Sequence, residues 1–360
     1  MTGRRVTGRR VLAVLVALGC AWLAFGLWIR ARRAPALPRP PGEVRGAYHV
    51  HTRKSDGRGT LDEVITAARE AGLQFVIVSD HNVLSPEDAG WRGGVLVIQA
   101  TEISSPYGHI VGLGLPRALT KEERLKDTLG SIHALGGAAV LAHPLHPKRP
   151  FTRWDRHDWV GFEVVSNDSF WGNTLHDRDL LRTALAFLTL PWDDAQSPLA
   201  LYVRPAAELA RFDALDPAER HPLLCSADAH GYPSYRAAFR AFSMHVPVRL
   251  TGDAEADTAR VLSALLEGRA TCVFDGVAPA WRAALALAPG RDAFTFTVEQ
   301  ARPSRAGYRL FRNGAPFGAA EARPDGARFS CGGPCPPGAY RVEATWGGRP
   351  WIFTNPRYIE

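Results

Sequence analysis

The stretch VRGAYHVHT, residues 44–52, opens the part of the chain that decides the fold. Residues 44–51 alternate as in a β-strand, and apolar residues at helical spacing in 60–71 predict a helix, with Thr60 as its N-cap and Gly72 as its stop. The unbroken apolar run FVIV, residues 75–78, is typical of a strand buried on both faces of a parallel sheet. This order of strand, helix and strand predicts an α/β fold.

The same alternation continues through the middle of the chain. Helical spacing is clearest at 121–135 and 177–189. Further strands are predicted at 95–100, 109–115, 138–142, 160–165 and 222–227. A parallel α/β architecture follows, either as an open sheet or closed into a barrel.

Imidazoles and carboxylates stand where most of these strands begin or end. A barrel brings the carboxyl ends of all its strands to one mouth, whereas an open sheet does so only near its switch point. The barrel is therefore favoured, because it would bring all these groups together. They are His49, His51, Asp80, His81, Glu102, His109, His143, Asp228 and His230.

The first two of these residues indicate a metal site. His49 and His51 are two apart on a strand, so their side chains are expected on the same face. Paired imidazoles beside carboxylates are poor core material but good ligands for zinc, manganese or iron. One such histidine alone would more simply be a hydrogen-bonded core or surface residue; the ordered series favours a metal centre.

Seven short motifs contain these residues, in order, between about residues 45 and 235. They are HVHT at 49–52, SDG at 55–57, SDHN at 79–82, TEI at 101–103, GHIVG at 108–112, AHP at 142–144 and SADAH at 226–230. This series resembles the PHP (polymerase and histidinol phosphatase) metallohydrolases. The resemblance implies a distorted (β/α)7 barrel over residues 44–282, with a centre of three divalent metal ions.

The resemblance also implies which residues hold each ion. His49, His51, Glu102 and Asp228 would hold one metal; Asp56, His81 and His230 a second; His109 and His143 a third, with Glu102 bridging. Some members of the family have histidine where this chain has Asp56, so the second metal is expected in a more anionic site. The residues expected to act in catalysis are His49, His51, Glu102, His143, Asp228 and His230.

Several divalent cations in one pocket lower the pKa of bound water and polarise a phosphoryl group, so no nucleophilic serine or cysteine is required. Cys225 is accordingly interpreted as a buried strand residue. His146 is a candidate for a structural or a substrate-binding role. Basic residues beside the motifs could bind a substrate phosphate or form a solvated rim. They are Arg53, Lys148 and Arg149.

The C-terminal part follows a different pattern. After an amphipathic helix at 255–269, short alternating strands from about residue 283 predict a small β-sandwich over 283–360. The stretches LLEGRATCVFDG (265–276) and PWIFTNPRYI (350–359) resemble the carbaryl-hydrolase-like branch of the PHP proteins, which implies a carboxylic or carbamic ester substrate as an alternative. Cys331 and Cys335 could form a disulfide outside the cytoplasm or stay free thiols inside it.

The N-terminus indicates a membrane. Residues 11–29 form an uncharged run of nineteen residues, with four arginines before it and three after it. Such a helix spans ~28 Å, close to the ~30 Å apolar thickness of a bilayer. The arginines favour a cytoplasmic N-terminus. Residues 1–33 are therefore predicted to anchor the chain, 34–43 to form a linker, and the catalytic domain to lie outside the cytoplasm (the periplasmic side in a bacterium). A cleaved signal peptide and a lipid-modified Cys20 stay open.

Composition excludes several classes of protein. A hydrophobic content of 46% excludes disorder, and the single long apolar run excludes a multi-span membrane protein. The net charge of +7 comes from residues 1–45, which hold nine arginines and one acid, while the remainder holds 34 basic and 35 acidic residues. No nucleic-acid groove is therefore predicted.

The predicted function is a membrane-anchored, metal-dependent phosphoesterase that acts on a small-molecule ester. The alternatives are a carbaryl-type esterase, exonuclease-like hydrolysis of nucleotides, and a non-enzymatic binding module held together by its metals. The sequence does not identify a protein partner, so protein partners are unknown.

Overall fold

The computed structural model describes residues 8–31, 33–167, 169–170, 174 and 179–360. Within this part of the chain the fold is mixed α/β, with one apolar helix near the N-terminus. The helices are α1 (Gly8–Ala31), α2 (Leu61–Ala71), α3 (Lys121–Ala134), α4 (Leu180–Thr189), α5 (Ala206–Asp213), α6 (Tyr235–Ala241) and α7 (Ala254–Leu266). Short 3₁₀ turns lie at Pro86–Asp88, Pro198–Ala200, Pro217–Glu219 and Pro303–Arg305.

The strands divide between the middle and the C-terminal part of the chain. Those of the middle are β1 (Val44–Val50), β2 (Phe75–Val78), β3 (Gly90–Arg92), β4 (Val95–Gln99), β5 (Thr101–Ser105), β6 (Gly108–Leu113), β7 (Ala138–Leu141), β8 (Gly161–Ser166), β9 (Leu223–Ser226), β10 (Ser243–Val246) and β11 (Thr271–Val273). Those of the C-terminal part are β12 (Ala280–Leu287), β13 (Ala293–Gln300), β14 (Ala306–Arg312), β15 (Ala315–Pro316), β16 (Ala320–Arg323), β17 (Gly326–Ser330), β18 (Gly338–Trp346), β19 (Arg349–Thr354) and β20 (Arg357–Ile359).

Local sequence explains the helix that follows β1. The Thr60 hydroxyl accepts a hydrogen bond from the Glu63 amide, and the Glu63 carboxylate accepts one from the Thr60 amide, which together form a capping box. Gly72, with φ of 74°, ends α2 in the left-handed conformation that glycine adopts without steric cost. The apolar face of α2 packs Val64 and Ala68 into the core, so the predicted cap, stop and buried face are confirmed.

Two sheets carry the predicted site. In the first, the order is β3, β4, β2, β1, β10, β11, and only the β1–β2 and β2–β4 pairs are parallel. The second has the order β5, β6, β7, β8, β9, with β7, β8 and β9 parallel. The antiparallel pairs depart from a regular parallel barrel, and the (β/α)7 description stays a prediction.

Backbone hydrogen bonds join these two sheets at both ends. On one side, the Ala227 amide donates to the Tyr48 carbonyl (2.8 Å) and the His51 amide donates to the Ala229 carbonyl (3.0 Å). On the other side, the Glu102 amide donates to the Ser79 carbonyl (3.1 Å). The ends of β1, β2 and β9 and the start of β5 therefore meet in one region.

The C-terminal part continues the first sheet. β11 pairs antiparallel with β19, which pairs with β18 and then β14, while β12, β13, β17 and β16 form a separate antiparallel sheet. Aromatic side chains from the two sheets meet, with the rings of Phe294 and Tyr340 4.3 Å apart. The predicted domain boundary between residues 282 and 283 falls inside β12, and no break in the sheet separates the two parts.

Four of the five cysteines form disulfides. Cys331 and Cys335 are paired, which is one of the two states that the sequence left open. Cys225 is a buried residue of β9, as expected, but it is bonded to Cys272 of β11, a pairing that the sequence did not predict. This second disulfide connects β9, the strand before Asp228 and His230, to β11, the strand of the first sheet that pairs with β19 of the C-terminal part.

Loss of the Cys225–Cys272 disulfide is expected to destabilise the protein more than loss of the other. It closes a loop of 47 residues, against four for Cys331–Cys335, which corresponds to about 4 and about 2 kcal/mol of unfolding free energy. Denaturant unfolding of the Cys225→Ala/Cys272→Ala and Cys331→Ala/Cys335→Ala variants measures the difference. Equal stability losses would contradict this ranking.

The N-terminal helix is the one described helix that is long and apolar enough to cross a membrane. Gly26 is the one buried residue of this helix. A signal sequence near an N-terminus has the same length and composition, so the alternatives raised by the sequence stay open. Residues 1–7 and 32 of the predicted anchor, and 177–178 of the predicted helix before residue 189, lie outside the described residues.

Candidate metal centre

Glu102, the second residue of β5, lies at the centre of the predicted ligands. Its side chain is almost fully buried, at 1% exposure. Five imidazoles surround its two oxygens. The Oε2 atom lies 3.2 Å from His49 Nε2, His51 Nε2 and His81 Nδ1, and Oε1 lies 2.7 Å from His109 Nδ1 and 3.0 Å from His143 Nε2. The structure thus brings together ligands from five separate segments.

Asp228, after β9, approaches the same region from the opposite edge of the second sheet, in which β5 and β9 are the outer strands. Its Oδ1 atom lies 3.4 Å from His51 Nε2 and 3.7 Å from His49 Nε2. The rings of His49 and His51 lie 5.0 Å apart, so they converge as the sequence predicted. The backbone does not reach this by regular alternation, because the register of β1 against β2 shifts between Ala47 and Val50.

Three of the ligand positions have unusual backbone conformations. His49, His143 and Asp228 have positive φ angles of 67°, 29° and 38°. Side chains other than glycine rarely adopt positive φ, and such strain persists where the surrounding structure holds it in place, commonly at functional sites. The strain coincides with the convergence of these three side chains.

Asp56 forms the accessible side of the cluster. Its carboxylate lies 3.3 Å from His81 Nε2, 3.4 Å from His230 Nε2 and 3.5 Å from His51 Nδ1. The Asp56 side chain is 54% exposed and that of His230 is 25% exposed, whereas His49 and His51 are fully buried. A substrate would therefore reach the centre from the side of Asp56 and His230.

The donor atoms fit cations. Three groups of donors lie within 4.8 Å of one another: His49 with His51 and Asp228; His51 with Asp56, His81 and His230; and His81 with Glu102 and His109. The buried atoms His49 Nε2, His51 Nε2 and His81 Nδ1 each lie 3.2 Å from Glu102 Oε2, but within the described residues the geometry gives none of them a hydrogen bond. A buried ring nitrogen without a partner costs free energy, and a metal ion would supply the missing partner.

The three donor groups do not contain the same residues as the three ligand sets that the sequence predicted. His51 and His81 each belong to two groups, so they stand between positions that the sequence assigned separately. His143 is outside the three groups but contacts Glu102 directly. All nine predicted ligands lie in one cluster, while the ions that each would bind stay a prediction.

Electrostatics couple these groups in the absence of metal. Burial opposes protonation of His143, but its contact with Glu102 raises its pKa to about 9. Burial likewise opposes protonation of His230, and its contact with Asp56 raises its pKa to about 9. The pKa of Glu102 is held well below its usual value, because the surrounding histidines outweigh its burial. Metal binding must therefore displace protons from these imidazoles.

Glu163, in β8, is a site residue that sequence reasoning missed. Its Oε1 atom lies 2.8 Å from His49 Nδ1, and its Oε2 atom accepts a hydrogen bond from the His143 amide (2.9 Å). A carboxylate on Nδ1 leaves Nε2 of His49 facing the cluster. The signal was a lone carboxylate inside the apolar run VGFEVV, where an unpaired charge is costly.

Asp80 and Tyr235 support the loop that carries Asp56. The Asp80 carboxylate accepts hydrogen bonds from the Thr52 amide (2.7 Å), the Thr52 hydroxyl (2.6 Å) and the Ser55 hydroxyl (2.6 Å). The Tyr235 hydroxyl donates to the His51 carbonyl (2.8 Å). Asp80, which the sequence placed among the strand-end acids, thus positions this loop through its carboxylate.

The predicted substrate-binding residues lie at the periphery. The Arg53 guanidinium is 63% exposed and donates to the Arg58 carbonyl, and Lys148 and Arg149 are exposed. His146 is closer, with its ring 5.4 Å from that of His143, and burial and the neighbouring His143 lower its pKa. The His146 imidazole thus lies beside the cluster, and the substrate roles of all four residues stay predictions.

Replacing Asp56 with alanine is expected to remove one metal equivalent and to lower turnover by at least about tenfold. The change removes the only carboxylate of the His51, His81 and His230 group and affects little else, because Asp56 is half exposed on a loop. Metal analysis after dialysis measures the stoichiometry. Asp62→Ala, which changes an exposed aspartate on α2, is the matched control. Full metal occupancy in Asp56→Ala would exclude Asp56 as a ligand.

Comparisons with known proteins give distant similarities. No family model matches the chain. An uncharacterized protein from Methanocaldococcus jannaschii is 26% identical over 119 residues, which cover 29% of this chain and 70% of that protein.

Three solved structures are similar to parts of the fold. A two-domain protein from Bacteroides vulgatus, containing a predicted PHP-like metal-dependent phosphoesterase, has a TM-score of 0.43 and 13% identity over 91% of this chain and 99% of its own. A protein from Bifidobacterium adolescentis described as a metal-dependent phosphoesterase has a TM-score of 0.32 and 15% identity, over 63% of this chain and 98% of its own. An amidohydrolase from Chromobacterium violaceum, with bound sulfate and no metal, has a TM-score of 0.30 and 16% identity, over 51% of this chain and 87% of its own. TM-scores this low carry no functional conclusion, which must come from the residues themselves.

Proposed function

We propose that this protein is a metal-dependent hydrolase of the PHP type that cleaves phosphoesters with a centre of three divalent ions, zinc, manganese or iron. The observation that carries the proposal is the convergence of nine histidine and carboxylate side chains in one cluster, with Glu102 at its centre. The seven motifs that resemble the PHP proteins support the same proposal, because they contain all nine of these side chains.

The chemistry follows from the donors and from their exposure. Divalent ions held in such a cluster activate water and neutralise charge on a phosphoryl group. The buried residues His49, His51 and Glu102 would hold ions away from solvent, whereas Asp56 and His230 border the accessible side where an ester can approach. We infer that His146, whose ring lies 5.4 Å from that of His143, exchanges hydrogen bonds with a bound ester.

We also propose that α1 anchors the protein in a membrane with the catalytic part outside the cytoplasm. The length and hydropathy of α1 support the anchor. Two disulfides in the described part of the chain support an oxidising compartment, since cytosolic thiols are kept reduced. The arginines that precede the apolar run support a cytoplasmic N-terminus.

Three alternatives remain to be separated from a phosphoesterase. The resemblance of residues 265–276 and 350–359 to the carbaryl-hydrolase-like branch favours a carboxylic or carbamic ester. A purely structural metal site is usually closed and four-coordinate, whereas this cluster has nine candidate ligands and an exposed side. The near-neutral charge of residues 46–360 disfavours an exonuclease-like activity on nucleic acid.

A substrate screen tests the proposed function. The full chain, loaded with manganese, zinc or iron, is assayed against phosphomonoesters, phosphodiesters, carboxylic esters and aryl carbamates. Turnover of a phosphoester that a chelator abolishes is expected, and the His49→Ala/His51→Ala variant should lose both metal and turnover. Preferential cleavage of a carbamate would replace the phosphoesterase with the carbaryl-type activity, and metal binding without any turnover would favour the binding module.

A further inference from the structure

Helix α4 presents an exposed apolar surface. Leu180 is 77% exposed, Leu181 70%, Leu188 55% and Phe187 43%, although these are among the most apolar side chains. Only Ala186 of the helix is buried. A soluble surface rarely exposes several large apolar residues side by side, so the exposed leucines Leu180, Leu181 and Leu188 indicate an interaction surface.

The apolar face lies beside α1. The Trp22 indole donates a hydrogen bond to the Leu188 carbonyl (2.9 Å), and the Trp22 ring lies 4.9 Å from that of Trp192. Trp192 also packs directly on Gly26, where a Cβ atom would overlap its ring. The surface of α4 is therefore continuous with the C-terminal half of the helix that we propose crosses the membrane.

Charges mark the end of this contact. Arg30 donates to the Trp192 carbonyl, and the Arg33 guanidinium forms an ion pair with Asp193 (2.6 Å). From Trp22 to Arg30, α1 rises ~12 Å, which is most of the ~15 Å half-thickness of a bilayer's apolar layer. Arginine and tryptophan side chains favour the boundary between lipid and water, so Arg30 and Trp192 mark the depth of this boundary, and the contact of Trp22 with Leu188 lies on its apolar side.

The same surface reaches the accessible side of the metal centre. Phe187 of α4 contacts Tyr232, with ring centroids 6.5 Å apart, and the Arg58 guanidinium lies 5.0 Å from the Tyr232 ring. Tyr232 follows His230 by two residues, and the Arg58 amide donates to the His230 carbonyl (2.9 Å). Among the described residues, Tyr232 and Arg58 thus connect the apolar face of α4 to the His230 segment.

We propose that α4 is a second membrane-contacting element, lying in the lipid–water interface beside α1 and holding the accessible side of the metal centre at the bilayer surface. The partner is the lipid bilayer, because the exposed leucines continue the apolar surface of α1 and end at its arginines. Given the proposed phosphoesterase, its substrate class is an amphiphilic phosphoester whose tail stays in the membrane while its headgroup reaches the ions.

A fluorescent label tests the docking independently of any activity. In a Cys20→Ser background, where the other cysteines are paired, Leu181→Cys is labelled with a polarity-sensitive fluorophore and the full chain is reconstituted into phosphatidylcholine vesicles. Leu125→Cys, an exposed leucine of α3, is the matched control. A several-fold rise in fluorescence that brominated lipid quenches is expected for position 181 alone.

Two outcomes would overturn the docking. One is a label at position 181 that stays as dim and unquenched as the label at position 125. The other is an increase that brominated lipid does not quench and that grows with protein concentration, which would identify a second copy of the chain as the partner.

The substrate class is tested with two probes, phosphatidic acid in vesicles and soluble para-nitrophenyl phosphate. Leu180→Ser/Leu181→Ser is expected to lower the ratio of vesicle to soluble turnover at least tenfold, and Leu125→Ser to leave it unchanged. An unchanged ratio in the double variant would overturn the amphiphilic substrate. If the unmodified protein cleaves neither probe nor any phosphoester of the screen, the proposed function fails instead, and the label alone decides the docking.

Discussion

Replacing Glu102 with glutamine is expected to abolish turnover and to remove more metal than any other single substitution in the cluster. The amide has the shape of the carboxylate but no charge, and its nitrogen donates hydrogen bonds where the carboxylate only accepts them. Glu102 is surrounded by five imidazoles within 3.2 Å, so one change alters the surroundings of all five. The loss should exceed the roughly 10–100-fold typical of residues outside the ligand set.

Metal stoichiometry and histidine titration distinguish this effect from general damage. Glu102→Gln should lose more than the one equivalent expected for Asp56→Ala, because its two oxygens face different histidines. In the metal-free protein, the pKa of His143, about 9 in contact with Glu102, should fall, which NMR titration measures directly. Retention of full metal content by Glu102→Gln would exclude a bridging role.

The control for Glu102→Gln is Asp275→Asn, which neutralises another buried carboxylate. Asp275 accepts hydrogen bonds from Arg45 (2.9 Å) and Ser243 (2.6 Å) outside the metal centre. Its replacement should lower the free energy of unfolding and leave the metal content unchanged. If both variants lose metal in proportion to stability, the effect of Glu102→Gln is structural.

Local sequence patterns predicted the secondary structure of the site well. The helix expected at 121–135 is α3 at Lys121–Ala134, and the strand expected at 138–142 is β7 at Ala138–Leu141. Periodicity and caps are properties of residues close together in the chain, so they can be predicted from the sequence alone. The convergence of the ligands was predicted on other grounds, because a barrel brings the carboxyl ends of its strands to one mouth and because the motifs resemble those of the PHP proteins.

Long-range pairing was not predicted. The bond between Cys225 and Cys272, the pairing of β11 with β19, and the contact of α1 with Trp192 all join segments whose local patterns say nothing about each other. The sequence also placed His49 on a regular strand, whereas a shifted register and a positive φ bring it to the cluster. These features depend on how the whole chain packs.

The contacts of Glu163 also depend on how the whole chain packs, so the sequence did not predict them. Replacing Glu163 with glutamine is expected to have the second large effect. The carboxylate holds His49 through Nδ1 and the His143 backbone through its amide, so it orients two predicted ligands from outside the set of metal-binding atoms. Glutamine fills the same space, but its uncharged amide no longer fixes which nitrogen of His49 carries the proton. Metal affinity should fall about 10–100-fold.

A positioning role and a ligand role give different results for Glu163→Gln. Because all nine candidate ligands remain, excess metal should restore much of the turnover, whereas Glu102→Gln should not respond. Glu43→Gln is the matched control, since Glu43 makes the same kind of buried contact with His245 (3.0 Å) outside the centre. Titration of both variants with manganese or zinc separates the two roles. Equal metal affinity in Glu163→Gln and Glu43→Gln would show that Glu163 contributes only to packing. If excess metal does not restore the turnover of Glu163→Gln, Glu163 belongs among the ligands.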